Sequence, residues 1–150
     1  MTPAGATTVV IIRTPQEVVI AADSASTIRG DGLSATTQTV CKIHQVAGAG
    51  LFFAVSGLVN DPQTGFNVPR IVASAIGNSE SMDARLAEVE RAVQAAVVGE
   101  LPQVKQRDPA EYAKLIDSKG AVTVALAGID AGVPATASFS LGFAASPKGR

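Results

Sequence analysis

The chain has 150 residues, 47% of them apolar and only 4% aromatic, with a formal net charge of -1. That size fits one domain with a core of Ala, Val, Ile and Leu, and the near-neutral balance argues against a nucleic-acid footprint or a polybasic membrane patch. The single cysteine, Cys41, excludes an internal disulfide framework and a Cys-rich metal site, and no apolar run is long enough for a membrane span. The opening Met1-Thr2-Pro3-Ala4-Gly5-Ala6 lacks the basic and apolar parts of a secretory signal, so a cytoplasmic location is the default expectation.

Residues 7–12 and 18–22 are nearly continuous β-branched runs, the pattern of strands buried on both faces or nearly so. The connection Arg13-Thr14-Pro15-Gln16-Glu17 reads as a tight turn, so an antiparallel return brings Asp23 beside Thr7. Residues 24–39, polar and split by Gly30-Asp31-Gly32, read as an exposed loop. Residues 40–46 alternate as a third strand and 51–55 form a fourth, joined by Ala47-Gly48-Ala49-Gly50.

Asn60-Asp61-Pro62 reads as the start of a helix reaching toward Gly77. From Met82 to Leu101 the apolar positions recur every three or four residues, predicting the clearest amphipathic helix, which Gly99 and Pro102 should end or kink. Asp108-Pro109 opens another short helix through Ile116. Residues 121–129 and 135–141 read as fifth and sixth strands, and 146–150 as a disordered tail. Four strands, then helices, then two strands predict an α+β fold with helices grouped against antiparallel sheets.

Asp23 follows a run of apolar residues, where an unpaired charge is costly, and Lys42 is the best cation to meet it. The competing reading has Lys42 reaching to solvent and Asp23 capping a turn. His44 shares a strand face with Lys42, but no nucleophile elbow accompanies it, so it reads as structural or surface. Cys41 reads as a small buried hydrophobe. No phosphate-binding glycine loop and no metal-ligand constellation are present in the sequence, so no cofactor is expected.

Several segments together carry a family resemblance: Thr7-Thr8-Val9-Val10, Val18-Val19-Ile20-Ala21-Ala22-Asp23-Ser24, Val40-Cys41-Lys42-Ile43, Val55-Ser56-Gly57, and residues 124–130 followed by Val133-Pro134. In this order they resemble the catalytic β-subunits of the proteasome family, within the N-terminal-nucleophile (Ntn) hydrolases. The resemblance implies an α+β sandwich of antiparallel sheets flanked by helices (αββα), here incomplete at the C-terminus. Residues 1–6 would be a short extension or propeptide and 7–145 the Ntn-like domain. Ala6 stands where the family usually has Gly, Ala25 where it has Arg, and Cys41 where it has Lys.

By the same resemblance Thr7 is the nucleophile, Asp23 and Lys42 are its charge partners, and Gly57 supplies an oxyanion-hole N–H. Ser26, Val40 and Val55 would line an apolar substrate pocket of modest size. The implied activity is threonine-type hydrolysis of peptide amide bonds after removal of residues 1–6. The implied partners are a peptide or protein substrate and a possible homo-oligomer, with no nucleic acid and no membrane. A non-catalytic homologue, or an Ntn amidohydrolase acting on a small amide, are the alternatives.

Overall fold

The computed structural model describes residues 8–29, 35–77, 81–117 and 120–143, with the side chains of 25–29 and 35–38 excepted. Two β-branched runs form β1 (Val9–Arg13) and β2 (Val18–Ala22), an antiparallel hairpin with Val9 opposite Ala22 and Arg13 opposite Val18. The turn between them is held by Thr14, whose Oγ1 accepts the N–H groups of Gln16 and Glu17 at 3.2 and 3.0 Å. The expected loop over 24–39 is instead a second hairpin, β3 (Ala25–Arg29) with β4 (Ala35–Thr39). Its arms contain Thr27, Ile28, Thr36, Thr37 and Thr39, and this β-branched content outweighs the polarity that suggested a loop.

The third predicted strand is shorter than its sequence pattern, reduced to β5 (Ile43–Val46), which pairs with β6 (Leu51–Gly57). Two later strands, β9 (Val122–Asp130) and β10 (Val133–Leu141), complete a four-stranded antiparallel sheet of order β10-β9-β6-β5. Between β6 and the helices lies a small hairpin, β7 (Asn60–Asp61) with β8 (Phe66–Asn67). Asn60-Asp61-Pro62 therefore opens a turn and not a helix. The helix start is displaced to Asn67, whose side chain accepts the Arg70 N–H at 2.8 Å and caps α1 (Val68–Ala75).

α2 (Met82–Arg107) is capped by Ser81 and continues through Gly99 and Pro102, past the predicted stop. Proline removes one backbone bond, to the carbonyl of Val98, but Val98 is exposed, so water can take the freed group. Its N-terminus is also tied to the β9–β10 turn, where Asp130 Oδ2 accepts the Met82 N–H at 3.0 Å. α3 (Pro109–Asp117) begins as expected, with Asp108 Oδ1 accepting the Glu111 N–H at 2.9 Å.

One face of the four-stranded sheet supplies Leu51, Phe53, Val55, Val122, Val124, Leu126 and Phe139 to the core, where they meet Val68 and Val72 of α1 and Val89, Val93, Val97 and Val104 of α2. These residues carry most of the apolar burial. On the opposite face, the small buried residues Ala54, Ala125 and Ala127 leave room for the β1–β2 hairpin, which touches β5, β9 and β10. The layers are thus helices, sheet, hairpin: a mixed α+β arrangement of antiparallel sheets with three helices among the described residues. The outer face of the hairpin is not buried as its composition suggested. Val10, Ile12 and Val19 are each about half exposed, while Val9, Ile11 and Ile20 turn inward. Among the described residues, no helix is long and apolar enough to cross a membrane.

Candidate functional site

The hairpin register continues one pair beyond β1 and β2, so Asp23 lies opposite Thr8. The Asp23 N–H donates to the Thr8 carbonyl at 3.1 Å, and the Thr8 N–H donates to Asp23 Oδ1 at 2.8 Å. The second carboxylate oxygen, Oδ2, accepts from Lys42 Nζ at 2.8 Å. The structure thus joins the N-terminal end of β1, the end of β2 and the residue preceding β5 through one carboxylate. Thr7 itself lies outside the described residues.

Both bonds favour the ionised acid. The Lys42 ammonium, and then the Thr8 N–H, hold the Asp23 carboxyl below its usual range, against a smaller opposing effect of desolvation. The Lys42 side chain is the more enclosed partner at 11% exposure, against 34% for Asp23. Lys42 therefore does not reach to solvent, and Asp23 does more than cap a turn.

Gly57 ends β6 opposite Val122. Ile43 pairs with Ala54, so Lys42 and Gly57 lie toward the same end of the β5–β6 pair. Gly57 has φ +97°, and a Cβ there would run into the Ala121 carbonyl oxygen. Its missing side chain is required by the protein's own backbone, before any substrate is considered. The Ala121 carbonyl also accepts the Leu58 N–H at 2.8 Å.

Of the three residues expected to line a substrate pocket, Val40 is half-buried and donates its N–H to the Ser24 carbonyl at 2.8 Å. Val55 packs into the core beside Val124. Ser26 stands in β3 opposite Gln38, with its side chain outside the described residues. Cys41 corrects the sequence reading: it is exposed, and its thiol donates to the Ile43 carbonyl at 3.0 Å. His44 stacks on Phe53 with centroids 5.0 Å apart, and burial lowers its pKa from the ordinary value.

Sequence reasoning missed a second charged cluster, in which Arg107 contacts both Asp61 and Glu100. In the sequence Asp61 reads as part of a helix start, and its cation stands 46 residues away in the chain, so local spacing carries no signal for the pair. Among the described residues, no group of three or more His, Cys, Asp or Glu side chains is placed to hold a metal. No family model matches the chain, and the curated proteins and solved structures compared with it include no match.

Proposed function

We propose that the chain is a threonine-type hydrolase of the proteasome-like Ntn class, cleaving peptide amide bonds with Thr7 as nucleophile once residues 1–6 are removed. The observation that carries this reading is the Asp23 carboxylate, bonded at once to the Lys42 ammonium and to the amide of Thr8, the neighbour of the proposed nucleophile.

The chemistry follows from the groups assembled there. A threonine hydroxyl needs a base, and a terminal Thr7 has one in its own α-amino group, with an ordinary pKa of about 8. Thr7 Oγ1 attacks the substrate carbonyl carbon while its proton passes to that amine. Lys42, held by Asp23, stabilises the developing negative charge on the hydroxyl oxygen. The Gly57 N–H is the proposed donor to the tetrahedral oxyanion. Collapse breaks the C–N bond, the leaving amine takes the proton, and water then hydrolyses the Thr7 ester. The substrate is a peptide or protein, and the αββα sandwich is the fold this reading implies.

A second reading, a non-catalytic binding or structural homologue, is favoured by one observation. Gly57 is already required by its positive φ and the nearby Ala121 carbonyl, so its presence adds no independent support for an oxyanion hole. Two measurements separate the readings. Intact mass of the mature protein should start at Thr7, and Thr7→Ala should abolish turnover of fluorogenic peptides while leaving the fold intact. A retained residue 1–6 segment, or unchanged turnover in Thr7→Ala, overturns the catalytic reading.

A further inference from the structure

Asp61 and Glu100 are the two buried polar or charged residues among the described residues, at 0% and 4% exposure. Asp61 ends β7, and Glu100 sits two helical turns before Arg107 on the same side of α2. Arg107 Nη2 donates to Asp61 Oδ2 and, at 3.1 Å, to Glu100 Oε1. Arg107 Nη1 donates to Gln63 Oε1 at 2.7 Å. Thr64 Oγ1 donates to Glu100 Oε1 at 3.0 Å, and the Gln63 N–H donates to Asp61 Oδ1 at 2.9 Å. One nitrogen therefore holds one oxygen of each carboxyl group, and one guanidinium, itself 32% exposed, caps two acids held out of water.

Two carboxylates against a single cation leave an uncompensated buried negative charge, which is the costly state. Binding one proton removes it. We propose that Asp61 and Glu100 hold a single proton between them beneath Arg107, and that this protonated cluster is a pH-sensitive latch fastening the end of α2 to the β7–β8 turn. Glu100 and Arg107 bracket Pro102, so the latch grips the part of the helix that lost a backbone bond. No Thr7 chemistry enters this inference.

The two acids are pushed in opposite directions. Burial, then the neighbouring Asp61 carboxylate, raises Glu100, with the Thr64 hydroxyl and Arg107 opposing. The Arg107 hydrogen bond dominates at Asp61 and lowers it, against desolvation. The groups facing Glu100 are Asp61 and Thr64 from the β7–β8 turn and Arg107 from its own helix. β10, packed on α2, carries no ionisable side chain, and α1 carries Arg70, which is exposed. In α3, Glu111 and Lys114 lie 3.5 Å apart, and Tyr112 lies under Lys105 of α2. Asp108 borders the cavity of about 250 Å³ that adjoins Arg107, along with Gln63 and Val104.

A raised acid binds its proton more tightly in the folded chain than in the unfolded one, so its contribution fades as pH rises through the folded value. The test is thermal unfolding of the full chain from the ordinary carboxylate range upward through neutral pH, for wild type and Glu100→Gln. The wild-type melting temperature should fall as pH rises, and that slope should flatten in Glu100→Gln, which carries a neutral amide at every pH. Parallel curves overturn the proposal. Side-chain carboxyl ¹³C NMR of wild type reads the same proton without any variant. One Glu resonance should titrate above the ordinary range, and a full set of ordinary Glu titrations would overturn it.

Discussion

Among the described residues, two carboxylate–cation clusters join separate elements of the fold, and they differ in what surrounds them. Asp23 keeps 34% of its side chain exposed, has its second oxygen on a backbone amide, and stands beside the N-terminal end of a strand. Asp61 is fully enclosed and shares its cation with a second buried acid. An ion pair open on one side can be approached by a substrate and can favour charge developing on another atom. One whose carboxylates are enclosed is suited to holding elements of the fold together. Proximity of opposite charges thus does not by itself distinguish the two; exposure of the acid does.

The largest expected effect tests the open cluster. On the proposed function, Lys42→Ala should reduce peptide turnover by about a hundredfold or more, because that reading makes Lys42 the electrostatic stabiliser. Fluorogenic peptide hydrolysis by the variant, with its circular dichroism spectrum unchanged, checks this. Retention of full activity would place the chemistry elsewhere and leave the Asp23–Lys42 pair purely structural.

The cluster with enclosed carboxylates should answer in stability instead. Asp61→Ala removes one of the acceptors of Arg107, which keeps Glu100 and Gln63, and leaves the Gln63 N–H without Oδ1, at a cost of about 1–2 kcal/mol. Chemical denaturation should show a lower midpoint at similar slope. If Asp61→Ala is as stable as wild type, the buried cluster contributes nothing net, and the contrast between the two sites fails.

How each cluster could be read from the chain differs for physical reasons. Asp23 was legible because a strand pattern of apolar residues ends on an acid, and a hairpin of known connection length fixes what lies opposite. The register, which places Thr8 opposite Asp23, follows from where the turn at Thr14 closes. Lys42 was legible because an isolated cation among apolar neighbours needs a partner. The layers of helices and antiparallel sheet followed from the order of patterns. The β3–β4 hairpin did not, because Thr and Ser serve loops and strands alike. The exposed outer face of β1–β2 did not either, since a continuous apolar run does not say which face finds a neighbour. The Asp61–Glu100–Arg107 cluster was out of reach because it depends on α2 continuing past Pro102, which local helix rules argue against.

Acid titration separates the clusters further. The Asp23 carboxyl is lowered, so the stabilisation it brings is complete above its unfolded value and is lost only as pH falls through the lower folded value. The Asp23–Lys42 pair should therefore stay intact throughout the mildly acidic range, and on the proposed function peptide turnover should not fall with loss of that pair. The fall of turnover there should follow protonation of the Thr7 amine, with an ordinary pKa of about 8. A turnover profile falling with the ordinary Asp titration instead would mean that the pair is not formed in the active protein.

The smallest effect concerns salt, and it isolates exposure from every other difference. Raising ionic strength to 1 M shortens the screening length to about 3 Å, and screening acts on charges that ions can approach. Asp23, open on one side, should titrate closer to an ordinary carboxylate in high salt, as followed by side-chain carboxyl ¹³C NMR. Asp61, at 0% exposure, should shift less in the same spectra, because ions can approach only its part-exposed partner Arg107 and not the carboxylate itself. Equal responses at the two sites would mean that the buried cluster opens on the timescale of the titration, and that enclosure does not separate them.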